Sequence, residues 1–462
     1  MAEFVEKIMA RIWNGIVTRK ARDPNDRYEN KLDFGLLIKD GQVTNYRFGL
    51  NQGRRAEHIA ILGKTGSGKS YFLRHLASQD ISSNHGFVYF DLHGDATPFL
   101  LSRLAAREER EGVSLSEKVI VIQPADPLYA VGLNVLEAKD TRHTYVQIDE
   151  FTQILKMRWH LDSFGARTEE LLRNSLYVLR ENQLTLLELS PLLTTASFRT
   201  SCLGRVENPE VRSYFTTRYD IASEAMQAVM RDAILNKISA FTADPHFRHI
   251  VGQQHSTISL EDAMDESCYV IVNLHKGKLG EQAATLGSLI LTRLKNALFA
   301  RKARKTFTLY CDEVQNLVAY DSGLDVLLSE ARKFAISVVS ANQFLDQYPA
   351  AMRSAILSVG THVCFQLSSS DADKMGASLA GSKSLADTLK NLPHQELVAK
   401  SGSYPATQVR VPDVVIPPVS YQNLYERCRT RWARRRTDIE RDIQDRQKGA
   451  LEIQSEVLDA WQ

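Results

Sequence analysis

The chain predicts an α/β fold, a mostly parallel sheet flanked by helices, on three observations. Short β-rich apolar runs recur along its 462 residues, most of them followed by segments with helical spacing. These runs are continuously apolar, as strands buried on both faces of a parallel sheet must be. One of them leads directly into the glycine-rich segment Gly63-Lys64-Thr65-Gly66-Ser67-Gly68-Lys69-Ser70, which a helix-period stretch follows.

The runs that read as strands are His58–Leu62, Phe87–Phe90, Val119–Ile122, Tyr269–Leu274, Phe307–Cys311, Ile336–Ser340 and His362–Leu367. From 143 to 243 the character changes to helical spacing with few glycines, so an all-helical insertion is expected between two parts of the core, 51–142 and 244–425. Residues 1–50 read as an N-terminal helix and extension, with Phe4, Ile8, Ile12 and Ile16 on one face of the helix. Packing of that face on the protein outweighs a membrane-surface role. Residues 426–462 read as a charged, solvated helix.

Composition, with 44% hydrophobic and 24% charged residues, matches an ordinary soluble globular protein. No run is long and apolar enough to span a membrane. Cys202, Cys268, Cys311, Cys364 and Cys428 have no metal or redox spacing, which fits a reducing cytoplasm. The net charge of +2 means that any DNA contact must come from local basic groups.

The glycine-rich segment has the chemistry of a phosphate-binding loop. Gly63, Gly66 and Gly68 allow backbone N–H groups to turn inward, and the helix N-terminus adds partial positive charge. In that reading Lys69 reaches the phosphates of ATP and the Ser70 hydroxyl ligates Mg²⁺. Asp312 and Glu313 follow a buried run: Asp312 suits Mg²⁺ coordination, and Glu313 suits activation of the attacking water. Gln343 ends another run, where an amide can sense the terminal phosphate or simply cap the strand. Asp91-Leu92-His93-Gly94-Asp95 ends the second run, in the crevice where α/β sheets bind ligands, and His93 lacks the spaced partners of a metal site. For DNA, Lys276 and Lys278 in HKGKLG are the best candidates, since that loop leaves a core strand. The basic run Arg301–Lys305 and the C-terminal arginines read as solvated charge.

Taken in order, HIAILGKTGSGKS, VYFDLHGD, VIVIQPADPLYAVGLNVLE, FGARTEELLRNSLYVL, DAILNKISAF, YVIVNLHKGKLGE, YCDEVQN, LLSEARKFAISVVSANQFLDQ and VGTHVCFQL resemble the HerA–FtsK superfamily, and within it soluble relatives of TraG/TraD-type conjugative coupling proteins. The resemblance runs from about Glu57 to the C-terminus. It implies a RecA-like motor domain, an ATP-hydrolysing DNA translocase, and a homo-oligomeric, hexameric ring around DNA. A relaxase, nuclease or secretion-channel partner is expected, with a cytoplasmic location or recruitment to the inner membrane by that partner. It also implies that Arg332, in LSEARKF, completes a neighbouring subunit's site; the plain alternative is a helix arginine paired with Glu330 or solvent. Three departures stand out: Leu92 replaces a frequent proline, Gln366 replaces a frequent arginine, and the transmembrane helices of membrane-bound relatives are missing.

A two-domain helicase is the nearest rival, but too little chain follows Gly360 for a second domain. The GTPase-like Asn30-Lys31-Leu32-Asp33 precedes the phosphate loop, the wrong order for base reading. A scaffold ring that recruits or regulates a nuclease or relaxase is the alternative of a different class.

Overall fold

The computed structural model describes residues 18–20, 31–137, 148–149, 151–153, 155, 165–302, 305–318, 324–348, 350–380 and 383–459. The amphipathic N-terminal helix expected over the first sixteen residues lies outside them. Fourteen strands are described: β1 (Thr18–Lys20), β2 (Lys31–Lys39), β3 (Gln42–Asn51), β4 (Ile59–Leu62), β5 (Phe87–Asp91), β6 (Val119–Ile122), β7 (Tyr129–Ala130), β8 (Tyr269–Asn273), β9 (Phe307–Cys311), β10 (Ile336–Asn342), β11 (Thr361–Cys364), β12 (Glu396–Ser401), β13 (Thr407–Arg410) and β14 (Arg434–Arg435). Twelve form one sheet in the order β1-β3-β2-β13-β12-β11-β4-β10-β9-β5-β8-β6, and β14 pairs with β7 in a separate ribbon.

From β11 to β6 all neighbours are parallel, and the pairs from β11 back to β1 are antiparallel. The parallel strands are buried on both faces because successive side chains enter different cores. Ile59 and Ile61 join one apolar cluster while Ala60 joins the other; Leu309 and Tyr310 divide in the same way. The helix after β4, Lys69–Ser82, buries Phe72, Leu73, Leu76, Ala77 and Ile81 on the sheet, the stripe its spacing predicts.

Two expectations need correction. Residues 31–50, expected in an extension ahead of the core, lie largely in β2 and β3, which are hydrogen-bonded into the main sheet through β13. Two irregularities break their alternation: a bulge of β2 between Asp33 and Gly35, and extra residues of β3 between Arg47 and Val43, opposite Leu36 and Ile38. At Gly35 a Cβ would lie 2.1 Å from the Arg410 carbonyl oxygen, so only glycine allows β2 to approach β13.

The charged C-terminal segment is not one solvated helix. It breaks at Ala433 into helices Gln422–Trp432 and Arg436–Asp459, and Leu424, Cys428, Ile439 and Ile443 are buried. Several of its arginines tie the tail down. Arg436 donates to the carbonyl oxygens of Asp126 (2.7 Å), Pro245 (3.0 Å) and Pro124 (2.5 Å), and Arg446 donates to Gly252 O (2.5 Å) and buried Glu188 (3.1 Å). The tail thus spans the sheet domain and the helical region.

Between β7 and β8 every described element is helical, including Gly165–Glu181 and Glu224–Thr242. No helix among the described residues is long and apolar enough to cross a membrane. All five cysteines are unpaired and buried.

Candidate nucleotide site at the sheet's C-terminal edge

Register brings the ends of the parallel strands together. Leu62 of β4 pairs with Asn342 of β10 on one side and Cys364 of β11 on the other, and Cys311 of β9 pairs with Ser340. The residues immediately beyond these ends therefore share one crevice, the usual ligand position in a parallel sheet.

The 63–70 loop emerges there under tight restraint. Gly63 N donates to Asn342 O (3.2 Å), Lys64 N to Gln366 O (2.8 Å), and Gln395 N to Ser67 O (3.4 Å). A Cβ on Gly63 would sit 2.6 Å from Phe365 Cβ, and Gly66 and Gly68 adopt φ values of 75° and 113°. Glycine is needed for close approach at the first position and for left-handed backbone at the other two. Lys69 is buried, and its Nζ donates to Gly63 O (2.7 Å) and Lys64 O (3.0 Å). Burial lowers the Lys69 pKa, opposed by the nearby Asp312 and Glu313. The Ser67 hydroxyl is buried without a hydrogen-bond partner.

Asp312 follows β9 and is buried. Burial raises its pKa against a hydrogen bond from Ser70 and the charge of Lys69. Glu313 has φ +50°, a left-handed conformation unusual for a side chain of this size. Such strain persists where surrounding contacts impose it, often at functional sites. Here Gln343 Nε2 donates to Glu313 Oε1 (3.1 Å), while His93 Nε2 stands 3.4 Å from Glu313 Oε2. The structure therefore brings Lys69, Ser70, Asp312, Glu313 and Gln343 together.

Arg332 is elsewhere. It precedes β10, and Glu57 precedes β4, so both lie at the N-terminal edge of the parallel strands. Arg332 is 68% exposed, with Nη2 3.7 Å from Glu57 Oε1. A four-residue strand spans about 13 Å, so the parallel strands separate Arg332 from its own subunit's phosphate loop. Glu330 pairs with Lys333, at 2.5 Å, and not with Arg332. Gln366 donates through Nε2 to Lys390 O (3.1 Å), while its carbonyl holds Lys64. Lys276 and Lys278 lie in a one-turn helix, Lys276–Leu279, directly after β8 and His275.

Sequence reasoning missed two contributors. His93 lacks the spaced partners of a metal site, and its place at a strand end is the one signal of a role in the crevice. Gln347 gave no signal: its Oε1 accepts from Gln343 N (3.1 Å) and Phe344 N (3.3 Å), fixing the turn that carries Gln343. Asp91 is structural. It accepts from Gly94 N (2.8 Å) and Thr97 N (2.7 Å), which shapes the turn presenting His93.

Residues 33–294 match the family model described as the helicase HerA central domain. No curated protein matches. Among solved structures, the bacterial conjugative coupling protein TrwBΔN70 in its unbound form is 18% identical, with a TM-score of 0.55 over 86% of this chain and 92% of its own. TrwB in complex with the ATP analogue ADPNP is 17% identical, with a TM-score of 0.58 over 84% of this chain and 91% of its own. VirB4 of Thermoanaerobacter pseudethanolicus is 12% identical, with a TM-score of 0.53 over 86% of this chain and 99% of its own. With the family model covering more than half of the sequence and the loop, acidic strand end and sheet order in place, the chain belongs to the HerA–FtsK superfamily of P-loop ATPases, in the family of the HerA central domain.

Proposed function

We propose that the chain is a Mg²⁺-dependent ATPase that works as a homo-oligomeric, hexameric ring translocating DNA. The observation that carries the ATPase reading is the convergence of Lys69, the Ser70–Asp312 pair and Glu313–Gln343 at one strand edge, and membership of the HerA family supports the ring translocase. These residues fit ATP and Mg²⁺: the buried Ser67 hydroxyl lacks a partner, the glycines admit close backbone approach, and burial leaves Asp312 in need of a cation. Solved complexes of TrwB with an ATP analogue and with ADP and Mg²⁺ add support by similarity.

In this mechanism the loop N–H groups and Lys69 bind phosphate oxygens. Ser70 Oγ and Asp312 would hold Mg²⁺, which when bound supplies positive charge against those oxygens. Glu313 accepts a proton from water, and Gln343 fixes the carboxylate that accepts it. The remaining positive charge comes from Arg332 of a neighbouring subunit, since the fold keeps this side chain away from its own loop. Lys276 and Lys278 contact DNA in the ring, and neutralising both should flatten the salt dependence of DNA-stimulated hydrolysis. The ring acts in the cytoplasm, or at the inner membrane where a relaxase, nuclease or secretion-channel partner recruits it.

Mixing subunits tests the assembly. Lys69→Ala and Arg332→Ala proteins, each inactive alone, should recover ATPase activity in mixed rings, at interfaces that pair an intact loop with an intact arginine. No recovery in verified mixed rings would eliminate the shared site.

A further inference from the structure

The turn bearing His93 has two neighbours. On one side His93 Nε2 lies 3.4 Å from Glu313 Oε2. On the other, the turn rests on the segment leading to Lys276 and Lys278: Leu92 O accepts from Lys276 N (2.8 Å), and a Cβ on Gly94 would lie 2.6 Å from His275 Cδ2. Gly94 also has φ +81°, so backbone and ring are in contact where only glycine is tolerated. β5 and β8, which launch the two segments, are parallel neighbours paired as far as Asp91 and Asn273. His275 is itself held, its N–H donating to Asn273 Oδ1 (3.2 Å). Close-packed contacts of this kind transmit small displacements instead of absorbing them.

We propose that His93 is a positioning residue that holds the Glu313 carboxylate and, through the 92–94 turn seated on His275, couples it to the lysine-bearing 276–279 turn. DNA engaged at Lys276 and Lys278 then shifts the 92–94 turn, and His93 changes its hold on the carboxylate that activates water. The coupling runs both ways: whatever nucleotide does to Glu313 and its partners is felt as a change in DNA affinity. This inference rests on the proposed function, which supplies the roles of Glu313 and the two lysines.

The test measures DNA affinity of the full chain with and without a non-hydrolysable ATP analogue and Mg²⁺, using a fluorescent DNA duplex and its single strand as probes. The wild-type protein should show a nucleotide-dependent affinity ratio in the range of about 5–150-fold. His93→Ala should bring that ratio to within about twofold of unity, and His93→Gln, which keeps a side-chain N–H, should restore most of it. His275→Ala should produce the same loss, and the double variant should be no worse than either single variant, as expected for residues acting in one chain of contacts. DNA stimulation of kcat should fall in parallel, with the KM for ATP little changed. If both single variants keep the wild-type ratio, the coupling is overturned while the proposed function stands. If the wild-type protein shows no DNA binding or no response of hydrolysis to DNA, the proposed function fails and the coupling with it.

Discussion

Replacing Arg55 by methionine is expected to be among the most damaging single changes in the core. Arg55 and Asp80 are both fully buried and form a two-pronged pair, Nη1–Oδ1 at 2.6 Å and Nη2–Oδ2 at 2.7 Å. Arg55 also donates to Gln52 Oε1 (3.0 Å) and Thr308 Oγ1 (2.7 Å), and Tyr310 donates to Asp80 (2.7 Å). The cluster therefore joins the turn before β4, the helix after the phosphate loop and β9. Burial alone would push the Asp80 carboxyl up; the Arg55 charge, with bonds from His85, Arg55 and Tyr310, overrides this and holds it at about 2. Removing one partner of such a pair costs about 3–5 kcal/mol. The surviving Tyr310 bond places Arg55→Met near the lower end, at about 3 kcal/mol. Urea unfolding at pH 7 measures the loss. It should narrow toward pH 4, because an unpaired, buried Asp80 has a raised pKa and folds more readily once protonated. Arg55→Met/Asp80→Leu should recover most of the stability, since neither charge is then stranded. A loss below about 1 kcal/mol, or a double variant as unstable as the sum of the singles, would refute the reasoning.

Three further outcomes follow from particular contacts. Gly63→Ala should weaken binding of an ATP analogue about tenfold or more, as the added methyl meets Phe365 Cβ at 2.6 Å and overpacking costs about 1–3 kcal/mol; calorimetric titration reads this. Burial lowers the His58 pKa to about 4, opposed by a backbone hydrogen bond and assisted by the Arg332 charge. The unfolded chain therefore binds the proton first: the neutral histidine's stability is fully present above 6.5 and is lost toward pH 4, by up to about 3 kcal/mol. His58→Asn, which keeps an acceptor for Val338 N but no group that titrates between pH 4 and 6.5, should flatten unfolding-versus-pH curves in that window. Arg436→Ala removes three bonds to backbone carbonyls, and limited proteolysis should then cut the tail near Ala433 at least about tenfold faster, the equivalent of one lost charge-assisted bond.

The parallel strands were legible because burial on both faces leaves a continuous apolar run. The phosphate loop and Asp312-Glu313 were legible because their residue types are fixed by chemistry at fixed distances from strand ends. What the local sequence does not reveal depends on partners remote in sequence. β2 and β3 read as an extension because irregularities break their period and a charged residue, Asp33, is buried among partners remote in sequence, Arg47, His75 and Gln79. The C-terminal arginines looked solvated because local sequence shows their acidic neighbours and not the carbonyls of Pro124, Asp126, Pro245 and Gly252. His93 and Glu313 are 220 residues apart, and only the adjacency of β5 and β9 brings them together. Arg332 is the reverse case: family resemblance places it in a catalytic role, and the fold puts it at the opposite edge of its own sheet.

The most direct test of the central claim is Glu313→Gln, with nucleotide affinity and turnover measured on the same protein. Glutamine keeps the size of the side chain and a carbonyl oxygen for Gln343, but cannot take a proton from water. The account predicts that kcat falls about 10²–10⁴-fold while affinity for ATP with Mg²⁺ stays within about threefold of wild type. Near-normal turnover in this variant would contradict the assignment of Glu313 as the base, and with it the mechanism built at this strand edge.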